Sequence, residues 1–231
     1  MKLVFDIECN GLTPDTIWCI VAYNIDTDTM YTFSDHATYH GTIADGVRML
    51  ENAELLIAHN GIGFDARVLD NMFGTDLLSK RFHDTFVMSQ VLSYKRSHRH
   101  GLAGWGEHLG NKKWEFDKWD EFSRDMVKYC QQDVKVNYGV YKALLAEYSK
   151  IYAVNPLIKE GLKVEHDVAV FNAKVRHDGW KLDTVKADAT LKLMRDRMNE
   201  INSIMLPKLG MKTVWIDKEP RSPKYKNNGD F

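Results

Sequence analysis

Five residues of this chain have the types and spacings for one kind of chemistry. Asp6 and Glu8 stand two apart in "KLVFDIECNGL", an otherwise apolar run. Side chains two apart on a strand share a face, so these carboxylates converge. Asp65 follows "AHNGIGF" at the start of a helical stretch. Tyr129 and Asp133 lie four apart, one turn along the same side of a helix. Burying an unpaired carboxylate costs roughly several kcal/mol, so acids inside a buried strand need partners. Four acids offer oxygen ligands, which suit hard divalent cations, Mg²⁺ or Mn²⁺. Two such ions about 3.5–4 Å apart stabilise the attacking and leaving oxygens of an in-line phosphoryl displacement.

The elements that must position these residues follow from hydrophobic periodicity. Residues 2–8 are expected to form a strand, with two more at 16–25 and 30–34 joined by the turn-prone "DTDT". These three form an antiparallel meander. Helices are expected at 43–52, 65–73, 84–94, 102–110 and 120–152, the last with a break near "NYG". A buried strand is expected at 53–60. Strands followed by helix, strand and helices make a mixed α/β layer. Two amphipathic helices follow, 156–183 and 184–209, with Gly179 marking the stop between them. The stretch from Pro207 to Phe231 is rich in lysine and asparagine, carries Pro207, Pro220 and Pro223, and is expected to be irregular.

Composition narrows the class. Of 231 residues, 44% are hydrophobic and 27% charged, a globular balance long enough for one domain and an extension. No run reaches the roughly 18 apolar residues of a membrane helix, so no membrane partner is expected. "MKLVFDIE" lacks the apolar region of a signal peptide, so a cytoplasmic location is expected. Cys9, Cys19 and Cys130 have no C-x-x-C spacing, which argues against a zinc site or a disulfide framework. The net charge of -1 lends nothing to nucleic-acid binding. It does not oppose it, because an acidic site subtracts what a basic surface adds.

The three motifs "FDIE", "HNGIGFD" and "YCQQD" match, in order and spacing, D-x-E, N-x₃-F-D and Y-x₃-D. This resembles the tyrosine branch of the DEDD superfamily, and among its members the proofreading 3′→5′ exonuclease domains of family A DNA polymerases. The likeness covers roughly residues 1 to 205, with "HDTFVMSQVL" and "SHRHGLAGWGEHLGNKK" similar to that family's helical segments between the second and third motifs. It implies a ribonuclease H-like α/β domain over 1–153, a helical extension over 154–206 resembling the start of a polymerase module, and a tail over 207–231. It implies a 3′→5′ exonuclease that hydrolyses DNA with two Mg²⁺ or Mn²⁺ ions. Asp6, Glu8 and Asp133 would hold the ion that activates water, Asp6 would bridge to the second, and Asp65 would act through water on the metal. Tyr129 would orient the attacking water beside Glu8. Leu12 resembles the family's apolar wedge near the terminal base, and Asn60 and Phe64 would help hold the terminal nucleotide.

The implied partners are a single-stranded or frayed 3′ DNA end and a DNA polymerase subunit or module. No palm or fingers motif occurs in the sequence, so polymerisation by this chain is not expected; it stands as a separate subunit or a fragment. Two alternatives remain at this point: an exonuclease that trims RNA 3′ ends, and a non-catalytic docking module of a polymerase complex. A docking role does not need four acids and a tyrosine.

Other residues have plainer readings. "KRSHRH", with His98 and His100 about Arg99, is expected to be a solvated basic loop, and Arg99 with Lys112 and Lys113 forms a candidate surface for DNA phosphates. Trp105, Trp114 and Trp119 are expected in the core. Cys9 and Cys130 adjoin the acids with nothing to mark them as nucleophiles.

Overall fold

The computed structural model describes residues 1–112 and 116–210, with His177 described in its backbone alone. One mixed sheet is built from β1 (Lys2–Cys9), β2 (Ile17–Asn24), β3 (Thr29–Phe33), β4 (Leu55–Ala58) and β5 (Phe82–Asp84). Its order is β3-β2-β1-β4-β5. The first three strands form the antiparallel meander, while β4 and β5 run parallel to β1. Parallel neighbours need crossovers. Helix α1 (Ile43–Glu51) supplies the first and α2 (Asp65–Phe73) lies in the second.

The central strand β1 is covered on both faces, and its two rows of side chains go to two cores. Leu3, Phe5 and Ile7 join Ile20, Ala22 and Leu56 beneath Val47 and Leu50 of α1 and Leu69 of α2. On the other face Val4 joins Cys19, Val21 and Ile57. That face is roofed by α3 (Thr85–Leu92), α4 (Leu102–His108) and the long α5 (Arg124–Val154), which contributes Val127, Cys130, Val134 and Leu144. The row that starts at Val4 continues as Asp6 and Glu8. The sequence thus ends an apolar row with two acids where the strand leaves the core.

Three local features depart from the sequence reading. Strand β5 has only three residues, too few to show alternation, and it ends on Asp84, the first residue of the expected helix 84–94. Helix α5 begins at Arg124 rather than 120, because the Ser123 hydroxyl caps the Met126 amide. It also runs unbroken through Gly139. Val136, Val140 and Leu144 on either side of it are buried, and that burial outweighs the roughly 1 kcal/mol preference of glycine against helix.

The chain forms two compact units, Met1–Gly179 and a second that starts at Trp180. Helix α6 (Ile158–Asp178) belongs to the first: Ala173 enters the core, and His166 Nε2 accepts the Asp84 amide at 2.9 Å. Helix α7 (Thr184–Leu209) lies in the second and buries none of its residues. It carries Pro207 in its last turn, so the described chain is helical three residues into the stretch expected to be irregular. No helix among the described residues is long and apolar enough to cross a membrane.

On β5, His83 Nδ1 meets the Tyr141 hydroxyl at 2.9 Å. Burial, with the nearby His166 and Arg81 charges, pushes the His83 pKa down to about 4. The unfolded chain takes up this proton near pH 6.5 and the folded chain does not, so stability falls as pH drops from 6.5 toward about 4. Urea unfolding measured across that window should show a shallower acid slope for His83→Gln than for the parent. Identical slopes would mean that His83 is not held neutral.

Candidate active site

Asp6, Glu8 and Cys130 each bring a ligand-type atom within 4.8 Å of the others. Across β2, Asp6 faces Val21 and Glu8 faces Cys19. Asp6 is half-buried, and Glu8 is buried at 7% exposure. Helix α5 passes over them, and the Cys130 thiol donates to Asp6 Oδ2 at 3.5 Å. Tyr129 precedes that cysteine and Asp133 follows it by three residues, so both stand on the turn that meets β1. Both are buried, at 8% and 4% exposure.

Asp65 arrives from α2 on the β4 side. The pairing of β1 with β4 ends at Val4 and Ile57, which leaves the backbone of β1 open beyond that point. The Asp65 carboxylate fills the opening: Oδ1 accepts the Ile7 amide at 3.1 Å. The same carboxyl hydrogen-bonds that of Asp6. Burial raises its pKa to about 7; the Asp84 charge adds to the rise, and the hydrogen bonds from backbone amides and Asp6 oppose it. A carboxyl held this way by desolvation and neighbouring acids becomes a ligand once a cation supplies the missing charge.

The turn that delivers Asp65 rests on Asp84, a residue absent from the expected site. Its buried carboxylate accepts the amides of Asn60 at 2.9 Å, Ile62 at 3.1 Å and Phe86 at 2.9 Å, and more weakly that of Val87 at 3.4 Å. It therefore caps α3 and holds the "NGI" turn at once. Burial raises its pKa, against those amide bonds. The turn is tight enough to place Asn60 at a φ of 61°, and a Cβ on Gly61 would meet the Ala58 Cβ at 2.3 Å. An acid directly before a helical run is a cap signal that the sequence does carry.

The donor set fits a hard cation. The Cys130 thiol is pushed well above its ordinary range by burial and by its contact with Cys19. Cys9 is pushed up to about 11, again by burial first. Beside these raised thiols the cluster offers the carboxylate oxygens of Asp6 and Glu8, the donors that a hard cation takes.

The other expected residues lie farther out. Leu12 is 84% exposed in the loop after β1. Asn60 is exposed, and Phe64 is half-buried against the core beside α2. Arg99 is exposed on the loop before α4, at a φ of 62°, and Lys112 is exposed after that helix. Lys113 and Trp114 fall outside the described residues. The "KRSHRH" stretch is less solvated than expected. His98 packs its ring at 4.5 Å from Trp105 and 4.4 Å from His108, and His100 meets the Ser89 hydroxyl at 2.9 Å. Arg96 folds inward onto Glu147 at 2.8 Å. Of the tryptophans, Trp105 is in the core at 2% exposure, whereas Trp119 is half-buried with its ring 5.6 Å from that of Tyr129.

Residues 2–149 match the 3′–5′ exonuclease family model. The DNA-directed DNA polymerases of Escherichia phage T7 and Enterobacteria phage T3 are each 24% identical over 242 residues, covering 79% of this chain and 33% of theirs. The chain thus spans about a third of the length of the curated relatives it matches. Among solved structures, Brucella melitensis NrnC with bound Mg²⁺ is similar at a TM-score of 0.60 and 18% identity, covering 78% of this chain and 86% of that one. A nuclease in its apo form is similar at 0.58 and 21% identity, with the same coverage. These structures share the fold.

Asp84→Asn keeps the shape of this support but turns amide hydrogens toward backbone N–H groups. It should lower unfolding stability by about 1–3 kcal/mol, the cost of leaving buried donors unsatisfied. Chemical denaturation of the two proteins at pH 7 measures this, and equal midpoints would remove Asp84 from the account.

Proposed function

This chain belongs to the 3′–5′ exonuclease family, and from that membership we propose that it removes nucleotides one at a time from the 3′ end of single-stranded or frayed DNA. The observation that carries the reading is the meeting of Asp6 and Glu8 with α5 at the open end of β1, with Asp65 closing the gap from α2. In this reading Asp6, Glu8, Asp65 and Asp133 hold two Mg²⁺ or Mn²⁺ ions. When bound, such ions activate water and neutralise the charge that develops on the phosphoryl group.

The chain's own groups do the rest. Tyr129 directs its hydroxyl at the attacking water beside Glu8, so that the water oxygen lies in line with the last phosphodiester. The phosphorus–O3′ bond breaks, the shortened strand leaves with a protonated 3′-hydroxyl, and a nucleoside 5′-monophosphate is released. Leu12, exposed in the loop after β1, wedges beside the terminal base, and Asn60 and Phe64 flank the terminal nucleotide. Arg99 and Lys112 meet backbone phosphates at longer range, where salt weakens them. Unpairing an end costs roughly a few kcal/mol and least for a mismatch, so frayed ends are preferred. The natural role that fits is proofreading beside a DNA polymerase module, carried on a partner or on further chain.

A 5′-labelled single-stranded oligonucleotide tests this. Mg²⁺ should yield a ladder that shortens from the 3′ end, EDTA should abolish it, and Mn²⁺ should restore it. Matched RNA cut faster than DNA would favour RNA trimming, and no cleavage of either would leave a docking module.

The roles of Tyr129 and Asp133 separate in single-turnover rates across a Mg²⁺ titration. Tyr129→Phe should slow the chemical step by about 10²–10⁴-fold, the usual value of a positioned group, at unchanged metal affinity. Asp133→Ala should also shift the Mg²⁺ midpoint upward. A Tyr129→Phe protein that cuts at the parental rate contradicts the assignment.

A further inference from the structure

We propose that Trp18 is a positioning residue for Tyr129, acting through the segment that carries Trp119. Its effect on cleavage rests on the exonuclease reading above; its effect on the Tyr129 ring rests on geometry alone.

The argument begins with an irregularity in the sheet. The β1–β2 register passes from Glu8↔Cys19 to Cys9↔Ile17, which leaves Trp18 as an extra residue opposite the step from Glu8 to Cys9. A bulge of this kind re-aims a side chain and is frequent beside active sites. Here the Trp18 carbonyl, taken out of the ladder, accepts the buried Ser34 hydroxyl at 2.7 Å. The bulge is thus held in place. Its indole N–H then reaches across to the Trp119 carbonyl at 2.9 Å, a contact 101 residues apart in sequence.

Residues 116–122 precede α5 and have no helix or strand of their own. What orders them is aromatic packing on either side of that hydrogen bond. Phe122 stacks on His36 at 5.3 Å, and His36 stands edge-on to Trp18 at 5.1 Å. Phe116 and Trp119 meet at 4.9 Å. Both then close on Tyr129 at 5.6 Å, Phe116 tilted by 37° and Trp119 edge-on at 79°. A tyrosine hydroxyl points where its ring plane sends it, and two rings meeting that plane at different angles restrict how the ring can turn. The setting of the Tyr129 ring therefore depends on β2, through the Trp18 indole hydrogen bond and the His36–Phe122 stack beside it.

If Trp18 acts through Tyr129, its removal has no effect once the hydroxyl is gone. The full chain and its Trp18→Phe, Tyr129→Phe and double variants should be compared in single-turnover cleavage of single-stranded DNA with Mg²⁺. Trp18→Phe should slow cleavage about tenfold, the order of one hydrogen bond. Added to Tyr129→Phe, it should slow it by no more than about twofold. Effects that multiply in the double variant overturn the proposal. The second readout is the NMR spectrum of the metal-free protein with ¹³C-labelled tyrosine, where the Tyr129 signal is the one lost in Tyr129→Phe. Trp18→Phe and Trp119→Leu should both move that signal toward the free amino acid value, with Tyr141 unmoved. A Tyr129 signal that stays put in a folded variant also overturns it. A parent protein that does not cut DNA fails the exonuclease reading, and the tyrosine signal still decides the role of Trp18.

Discussion

Carboxylates gathered at the end of a strand covered on both faces are the constraint on which this structure turns. Asp6 and Glu8 extend the row that Val4 begins, so the register that buries the core also drives two acids together beneath α5. Asp65 adds a third, buried enough that its pKa rises to about 7. Bringing acids this close costs energy that partners or cations must offset. The arrangement makes physical sense as a site for cations, and the family to which residues 2–149 belong is one of 3′–5′ exonucleases.

Holding acids together against their repulsion calls for rigid surroundings, and backbone hydrogen bonds supply part of that support. The Ile7 amide fixes Asp65 where the β1–β4 ladder stops. Asp84 fixes the turn before it by taking the amides of Asn60 and Ile62, and its own amide is taken by His166 of α6. The first helix beyond the expected domain boundary at residue 153 is in this way tied to the turn that carries a site acid. On the opposite side, the bulge at Trp18 and the aromatic segment 116–122 constrain Tyr129. One acid and the tyrosine are thus each positioned by an element distant in sequence.

The parts legible in the sequence are those set by short-range periodicity. Strand parity suffices to join Asp6 to Glu8, and helix periodicity suffices to join Tyr129 to Asp133. The meander and most helix positions follow from the same patterns. Asp84 is illegible as a support because its partners, Asn60 and Ile62, lie 24 and 22 residues away across two parallel strands. Trp18 gives no sign of a bulge, because "TIWCIVAYNI" reads as one regular strand. His98 and His100 read as solvated because charge surrounds them in sequence, and they turn inward because Trp105 and Ser89 offer ring and hydroxyl partners that only the packing of α3 and α4 brings near.

The central claim is that these acids form one cation site. Isothermal calorimetry with Mn²⁺ and a nucleoside 5′-monophosphate present tests it most directly. The account predicts saturable binding of two ions per chain, abolished by Asp6→Ala, since Asp6 is the ligand that the proposed site would share between them. Binding that persists unchanged in Asp6→Ala, or no saturable binding by the parent, would contradict it.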